Sequence, residues 1–135
     1  MSAWRGIKRI QMLLSEMVGT YFIVLSYGLS MADVKVQDGA AAALQGPMSV
    51  GLAVLSQTYA FAHVSLAQFN PAVTMGLLLT QSISVLDAIM AMAAQVLAGL
   101  MAGFTVSRCV GSSQTRVCVV VVGIRVWSVL VGLVG

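Results

Sequence analysis

Asn70 and Pro71 open the stretch of this 135-residue chain best suited to handling a small polar molecule. Asparagine is among the strongest helix N-caps, and proline fits the first helical position, where its missing N–H costs nothing. The pair lies within residues 65–82, which carry no charged side chain, so the spacing predicts a helix from Asn70-Pro71 to about Leu79 or Thr80. Its free N–H groups and positive dipole end would face whatever precedes it. Ser65, Leu66, Ala67, Gln68 and Phe69 are expected to run extended, with carbonyls free to line a cavity. Carbonyl acceptors, an asparagine amide donor and a positive helix end together suit small polar, uncharged solutes and disfavour cations. An Asn-Pro pair alone would be an ordinary cap on an interfacial helix; the length and lack of charge of this segment leave that reading and a re-entrant half-helix both open.

Three other polar side chains stand in apolar surroundings. Glu16 is the one charge in residues 10–32 and a functional candidate for that reason. Gln95 is expected to hydrogen-bond to neighbouring backbone. His63 falls near a membrane boundary, where it would touch a pore mouth or hold a backbone partner. Catalysis finds no footing: one histidine and four carboxylates are too dispersed for a hydrolytic site, and no nucleophile–base pair, phosphate loop or metal spacing occurs. Cys109 and Cys118 are too few for a disulfide framework or a four-ligand metal site. The chain reads as a non-enzyme without cofactor or metal. The nine methionines are apolar filler, and Gly99-Leu100-Met101-Ala102-Gly103 is a helix-packing motif.

The elements that must position these residues belong in a bilayer. Hydrophobic residues make up 59% of the chain and charged ones 8%, with a mean hydropathy of +0.98. Soluble chains carry about 25% charged residues, so a water-facing coat is excluded, as are disorder and fibrous repeats. The net charge of +3 comes from scattered basic residues with no stripe to track phosphates, which excludes nucleic acid as a partner. A spanning helix needs about 20 mostly apolar residues. Windows at 10–32, 47–64 and 83–107 qualify, the second opening with Pro47 at its helix start and the third carrying Asp87 in its first turns. Residues 117–135 form a doubtful fourth, with Arg125 near its middle. The Asn70 helix, at about 15 Å, reaches half the hydrocarbon thickness and is too apolar for water. It is expected to be a re-entrant half-helix. Arg5, Lys8 and Arg9 put the N-terminus (residues 1–9) in the cytoplasm, although Lys35, Arg108 and Arg116 on the other side weaken the bias. A cleaved signal peptide ending at Ser30-Met31-Ala32 would have Glu16 inside an overlong apolar core.

These residues resemble the aquaporins, the major intrinsic proteins. His63 to Thr74, reading His-Val-Ser-Leu-Ala-Gln-Phe-Asn-Pro-Ala-Val-Thr, resembles the family's first Asn-Pro-Ala box. Ser15-Glu16-Met17-Val18-Gly19-Thr20 is similar to its first-span Glu-x-x-Gly-Thr, and Ala94-Gln95-Val96-Leu97-Ala98-Gly99 to its third-span Ala-Gln-x-x-Gly-Ala. The likeness covers residues 10–106, the N-terminal half of a member. It implies an all-α membrane fold of three spans and one half-helix, half of a six-span inverted repeat, with residues 108–135 a divergent tail. It also implies that Asn70 donates its amide to permeating water, that Pro71 and Ala72 pack on an opposing box, and that Glu16 braces the re-entrant loop. Val50 falls at the family's outer filter, where its small size leaves room for a solute such as glycerol.

Two departures bear on function. Leu66 stands where the family has glycine and Gln68 where it has histidine, and leucine resists positive φ. No second Asn-Pro-Ala occurs in the 135 residues. The expectation is an aquaporin-like channel for water or small neutral solutes, incomplete as a pore in one copy. It would work as a homo-oligomer or beside a full-length relative. A non-conducting membrane subunit and, from Glu16, a small proton-coupled multidrug exporter are the alternatives.

Overall fold

A computed structural model describes residues 2–33 and 40–110. Four helices follow in order: α1 (Ser2–Asp33), α2 (Ala40–Ser65), α3 (Pro71–Leu79) and α4 (Val85–Val110). The possible fourth span and nearly all of the expected tail lie outside the described residues. Lys8–Ser30 of α1 and Val85–Cys109 of α4 are long and apolar enough to cross a bilayer. The 26-residue α2, at about 39 Å, matches them in length but is more polar, with Ser49, Ser56, Gln57 and Thr58 along it. The result is an all-α membrane fold of three long helices and one half-helix.

Burial runs opposite to that of a soluble bundle. On α4 the inward stripe is small, with Ala88, Ala91, Ala98 and Ala102 at most 1% exposed, while Leu97, Leu100, Met101 and Phe104 point outward. On α1 the inward residues include Ser15, Glu16 and Thr20, and Ile10, Leu14 and Val18 face out. Hydrocarbon covers such an exterior without cost, and small interior residues let helices approach closely. α1 and α4 come close at Gly28, where an added methyl would meet Val106 Cγ2 at 2.6 Å.

α1 and α4 run parallel. The Arg9 guanidinium Nε lies 2.8 Å from Asp87 Oδ1 at one end, Glu16 pairs with Gln95 further along, and Tyr21 meets Thr105 at 3.0 Å beyond that. α2 returns along α1, and α3 packs on α4. Pro47 corrects the expected start of the second span: it lies inside α2, which begins at Ala40. Pro47 is the eighth residue of α2, where it removes one helical hydrogen bond, and the alanine run 40–43, a strong helix former, extends the element backwards past it. Likewise α1 reaches back through the basic residues ahead of its membrane span.

The turn from α3 to α4 is tightly specified. Gln81 adopts φ 57°, its N–H donates to the Leu78 carbonyl and the Ser82 N–H to that of Leu77, which forms a Schellman cap. Ser84 then caps α4: its Oγ accepts from the Asp87 N–H and donates to Asp87 Oδ2 at 2.7 Å. A left-handed backbone costs a non-glycine residue about 1–2 kcal/mol. Gln81→Gly is therefore expected to stabilise the protein by about 1 kcal/mol. Thermal unfolding in detergent reads this as a higher midpoint; a lower one would contradict the turn geometry.

Candidate functional site

The site grows from Glu16, which is 0% exposed. Its Oε1 accepts the Gln68 N–H at 3.0 Å, and its Oε2 accepts the Phe69 N–H at 2.7 Å and Gln95 Nε2 at 2.7 Å. Gln95 Nε2 also donates to Thr74 Oγ1 at 3.0 Å, and Thr74 Oγ1 donates to the Asn70 carbonyl at 3.1 Å. One connected network thus ties α1, the loop, the first turn of α3 and α4. Glu16 lies seven residues beyond Arg9 and Gln95 eight beyond Asp87, about 10 to 12 Å inward from the ion-paired ends. In a core about 30 Å thick that depth approaches the midplane. α3 leads from this level back to the Asp87 end.

Asn70 caps α3 through its side chain, Oδ1 accepting the Ala72 N–H at 2.9 Å. Its amide nitrogen has no partner among the described residues, and the residue is exposed. Pro71 is buried against its own fold, whereas Ala72 is half-buried. Residues 66–69 are not extended as expected: Leu66, Ala67 and Phe69 have φ of 66°, 49° and 46°. The carboxyl of Glu16 gathers two successive N–H groups, and the backbone curls around it to present them. Nor is the Ser65 carbonyl free, because Gln68 Nε2 donates to it at 3.1 Å. The carbonyls of Leu66 and Ala67 receive no donor among the described residues. Leu66 takes the left-handed conformation despite its side chain, which projects outward at 60% exposure.

Val50 is half-buried on α2 and His63 exposed near its end. Neither belongs to the Glu16 network. An open groove of about 830 Å³ between α1 and α2, lined in part by Phe22, Ser26, Ser49 and Gln57, includes neither Val50 nor Asn70. Three contributors escaped sequence reasoning. Thr74, 0% exposed, links Gln95 to Asn70; its place one turn after the N-cap was the available signal. Phe69 packs on Gly19, where an added methyl would overlap its ring, and meets Phe61 edge-on at 6.3 Å. The Arg9–Asp87 pair joins residues 78 positions apart, and no local pattern announces it.

Several known proteins are similar to this chain in sequence. The family model described as major intrinsic protein matches residues 3–131, further along the chain than the motif likeness of residues 10–106. The lens fiber major intrinsic protein of Oryctolagus cuniculus is 36% identical over 115 residues, 85% of this chain and 40% of that protein. Glycerol uptake facilitator protein-like 6 of Lactiplantibacillus plantarum is 34% identical over 93 residues, 69% of this chain and 41% of its own length. Aquaporin NIP1-4 of Oryza sativa subsp. japonica is 40% identical over 67 residues, 50% and 24% respectively. The chain spans less than half the length of these curated relatives.

Replacing Glu16 by glutamine puts an amide donor where only acceptors fit. A buried N–H left unpaired costs about 1–3 kcal/mol. Amide hydrogen exchange at Gln68 and Phe69 is expected to accelerate roughly ten- to hundredfold in Glu16→Gln, with helix content unchanged. Unaltered exchange at both would remove Glu16 as the anchor.

Proposed function

The chain belongs to the major intrinsic protein family, and on that premise we propose that it supplies one half of a membrane channel for passive movement of water or small neutral solutes. The observation that carries this reading is the half-helix tip, held near mid-depth by Glu16, with the Asn70 amide and two bare carbonyls beside it. A solute stripped of bulk water would accept from Asn70 Nδ2 and donate to the carbonyls of Leu66 and Ala67. Both kinds of hydrogen bond are then replaced at little cost. The free N–H groups of α3 and its dipole raise the local potential and repel cations.

Selectivity follows from what narrows the passage. Val50 leaves more room than an aromatic side chain, and the likeness to a glycerol uptake facilitator supports glycerol beside water as cargo. Gln68 and the projecting side chain of Leu66 shape the near side of the passage, and His63 sits toward its mouth. The protein is integral to the membrane, and Arg5, Lys8 and Arg9 favour a cytoplasmic N-terminus. One copy offers a single half-helix among its described residues, and a complementary half completes the pore. The single half-helix among the described residues leaves a second reading, a non-conducting subunit beside a full-length relative. Co-purification with that relative at unchanged permeability would mark it. The engaged Glu16 gives no support to a proton-coupled exporter.

Osmotic shrinkage of vesicles tests the proposal. The chain is reconstituted at rising chain-to-lipid ratios, alone and with a second polypeptide carrying the C-terminal half of a relative. Permeability to water or glycerol above that of empty vesicles is expected in at least one arm. Asn70→Asp should lower it at least several-fold, because it exchanges a neutral donor for an anion. Permeability equal to empty vesicles in both arms would overturn the reading.

A further inference from the structure

We infer that the side chain of Leu66 is a fixed apolar restriction in the path of the solute and sets the widest neutral molecule that passes. The inference rests on the half-channel reading and names what limits the cargo within it.

Leucine is a poor fit to its place in this loop. Its φ of 66° is one that glycine adopts without strain. Phe69 carries the same fault, but its ring is buried against Gly19, and that contact offsets the strain. Leu66 has no such compensation, because its side chain is 60% exposed. Neither backbone preference nor packing among the described residues accounts for a leucine here. Strain retained without a packing gain points to a role for the side chain itself.

The surroundings say what that role is. The Leu66 N–H still donates to the Ala62 carbonyl at 3.2 Å, in the last turn of α2. Its own carbonyl and that of Ala67 receive no donor among the described residues. Lipid tails offer no hydrogen bonds, so bare carbonyls at membrane depth must face protein or a water-filled cavity. Leu66 therefore stands on a surface that lipid does not cover. Ser65, Gln68 and Phe69 are buried and Ala67 is half-buried, which leaves Leu66 as the exposed side chain of residues 65–69. It lies four residues before the exposed Asn70, in the approach to the groups that a solute would use. An isobutyl group there offers no hydrogen bond and holds back water, as apolar constrictions do in channels. Its backbone is tied to α2 on one side and, through the Gln68 N–H, to Glu16 on the other. The restriction thus acts by size and does not swing aside.

Two measurements on the 135-residue chain test this. The first reads what covers position 66, in a Cys109→Ser/Cys118→Ser background in both arms of the vesicle assay. A membrane-impermeant methanethiosulfonate bearing a sulfonate is supplied on both faces. Leu66→Cys is expected to react at a rate within about tenfold of Ser82→Cys, on the exposed turn between α3 and α4. Leu97→Cys, at 56% exposure on the outward face of α4, should stay unreacted. A Leu66→Cys chain as inert as Leu97→Cys in both arms overturns the inference.

The second measures permeability with Leu66→Ala and Leu66→Gly. Both should raise passage of glycerol, and of the longer polyol erythritol, several-fold relative to water. Only Leu66→Gly should also raise the midpoint of thermal unfolding, because alanine keeps the backbone strain. A ratio that rises in Leu66→Gly alone would trace to the backbone, and an unchanged ratio in both variants would leave no restriction. Either result overturns the inference and keeps the half-channel reading. Permeability equal to empty vesicles for the parent and both variants would sink that reading, and the restriction with it.

Discussion

A carboxyl group with no contact with solvent must have its acceptors filled, and the three hydrogen bonds to Glu16 organise the rest of this molecule. The donors are two consecutive backbone N–H groups, from Gln68 and Phe69, and the Gln95 side chain. Leaving such donors and acceptors unpaired at membrane depth would cost several kcal/mol. The loop therefore has one low-energy place to go. Its left-handed residues are strained one by one, and the network makes that strain tolerable. Thr74 and Gln95 extend the same constraint to the first turn of α3, so the aim of the half-helix is set from α1 and α4 as well as by its own cap.

The helices that carry this network are held by packing suited to lipid. Small residues of α4 face α1, and Gly19 and Gly28 admit Phe69 and Val106 where any larger residue would collide. With apolar chains directed outward, hydrophobic burial supplies little of the specificity. Register comes instead from polar contacts spaced along α1 and α4: Arg9 with Asp87, Glu16 with Gln95, and Tyr21 with Thr105. The first of these is partly exposed, at 44% and 27% for the two side chains, and so contributes alignment more than stability.

What could be read in the sequence was local. Asn70-Pro71 followed by an uncharged apolar run marks a short helix through cap chemistry alone, and α3 spans Pro71–Leu79. The long helices follow from hydropathy. Pro47 misled because proline is at home only in a first helical turn, whereas here the four alanines ahead of it carry the helix back past it. The conformation of residues 66–69 was illegible, since it is imposed by a carboxyl more than fifty positions earlier. Phe69 against Gly19 escaped for the same reason: the glycine is explained only by the ring that fills its space. Leu66 shows the order of forces most plainly. Its type argues against positive φ, and the long-range network prevails.

The central claim is that Glu16 holds the start of α3 deep in the bilayer while its end lies near the surface. Depth-resolved spin labelling tests this directly, with single labels at Ala72→Cys and Leu79→Cys in the cysteine-free chain. The account predicts that the label at position 72 lies deeper by about 10 Å and that Glu16→Gln erases most of the difference. Equal depths at the two positions in the unaltered background would mean a helix lying flat at the interface, and would contradict it.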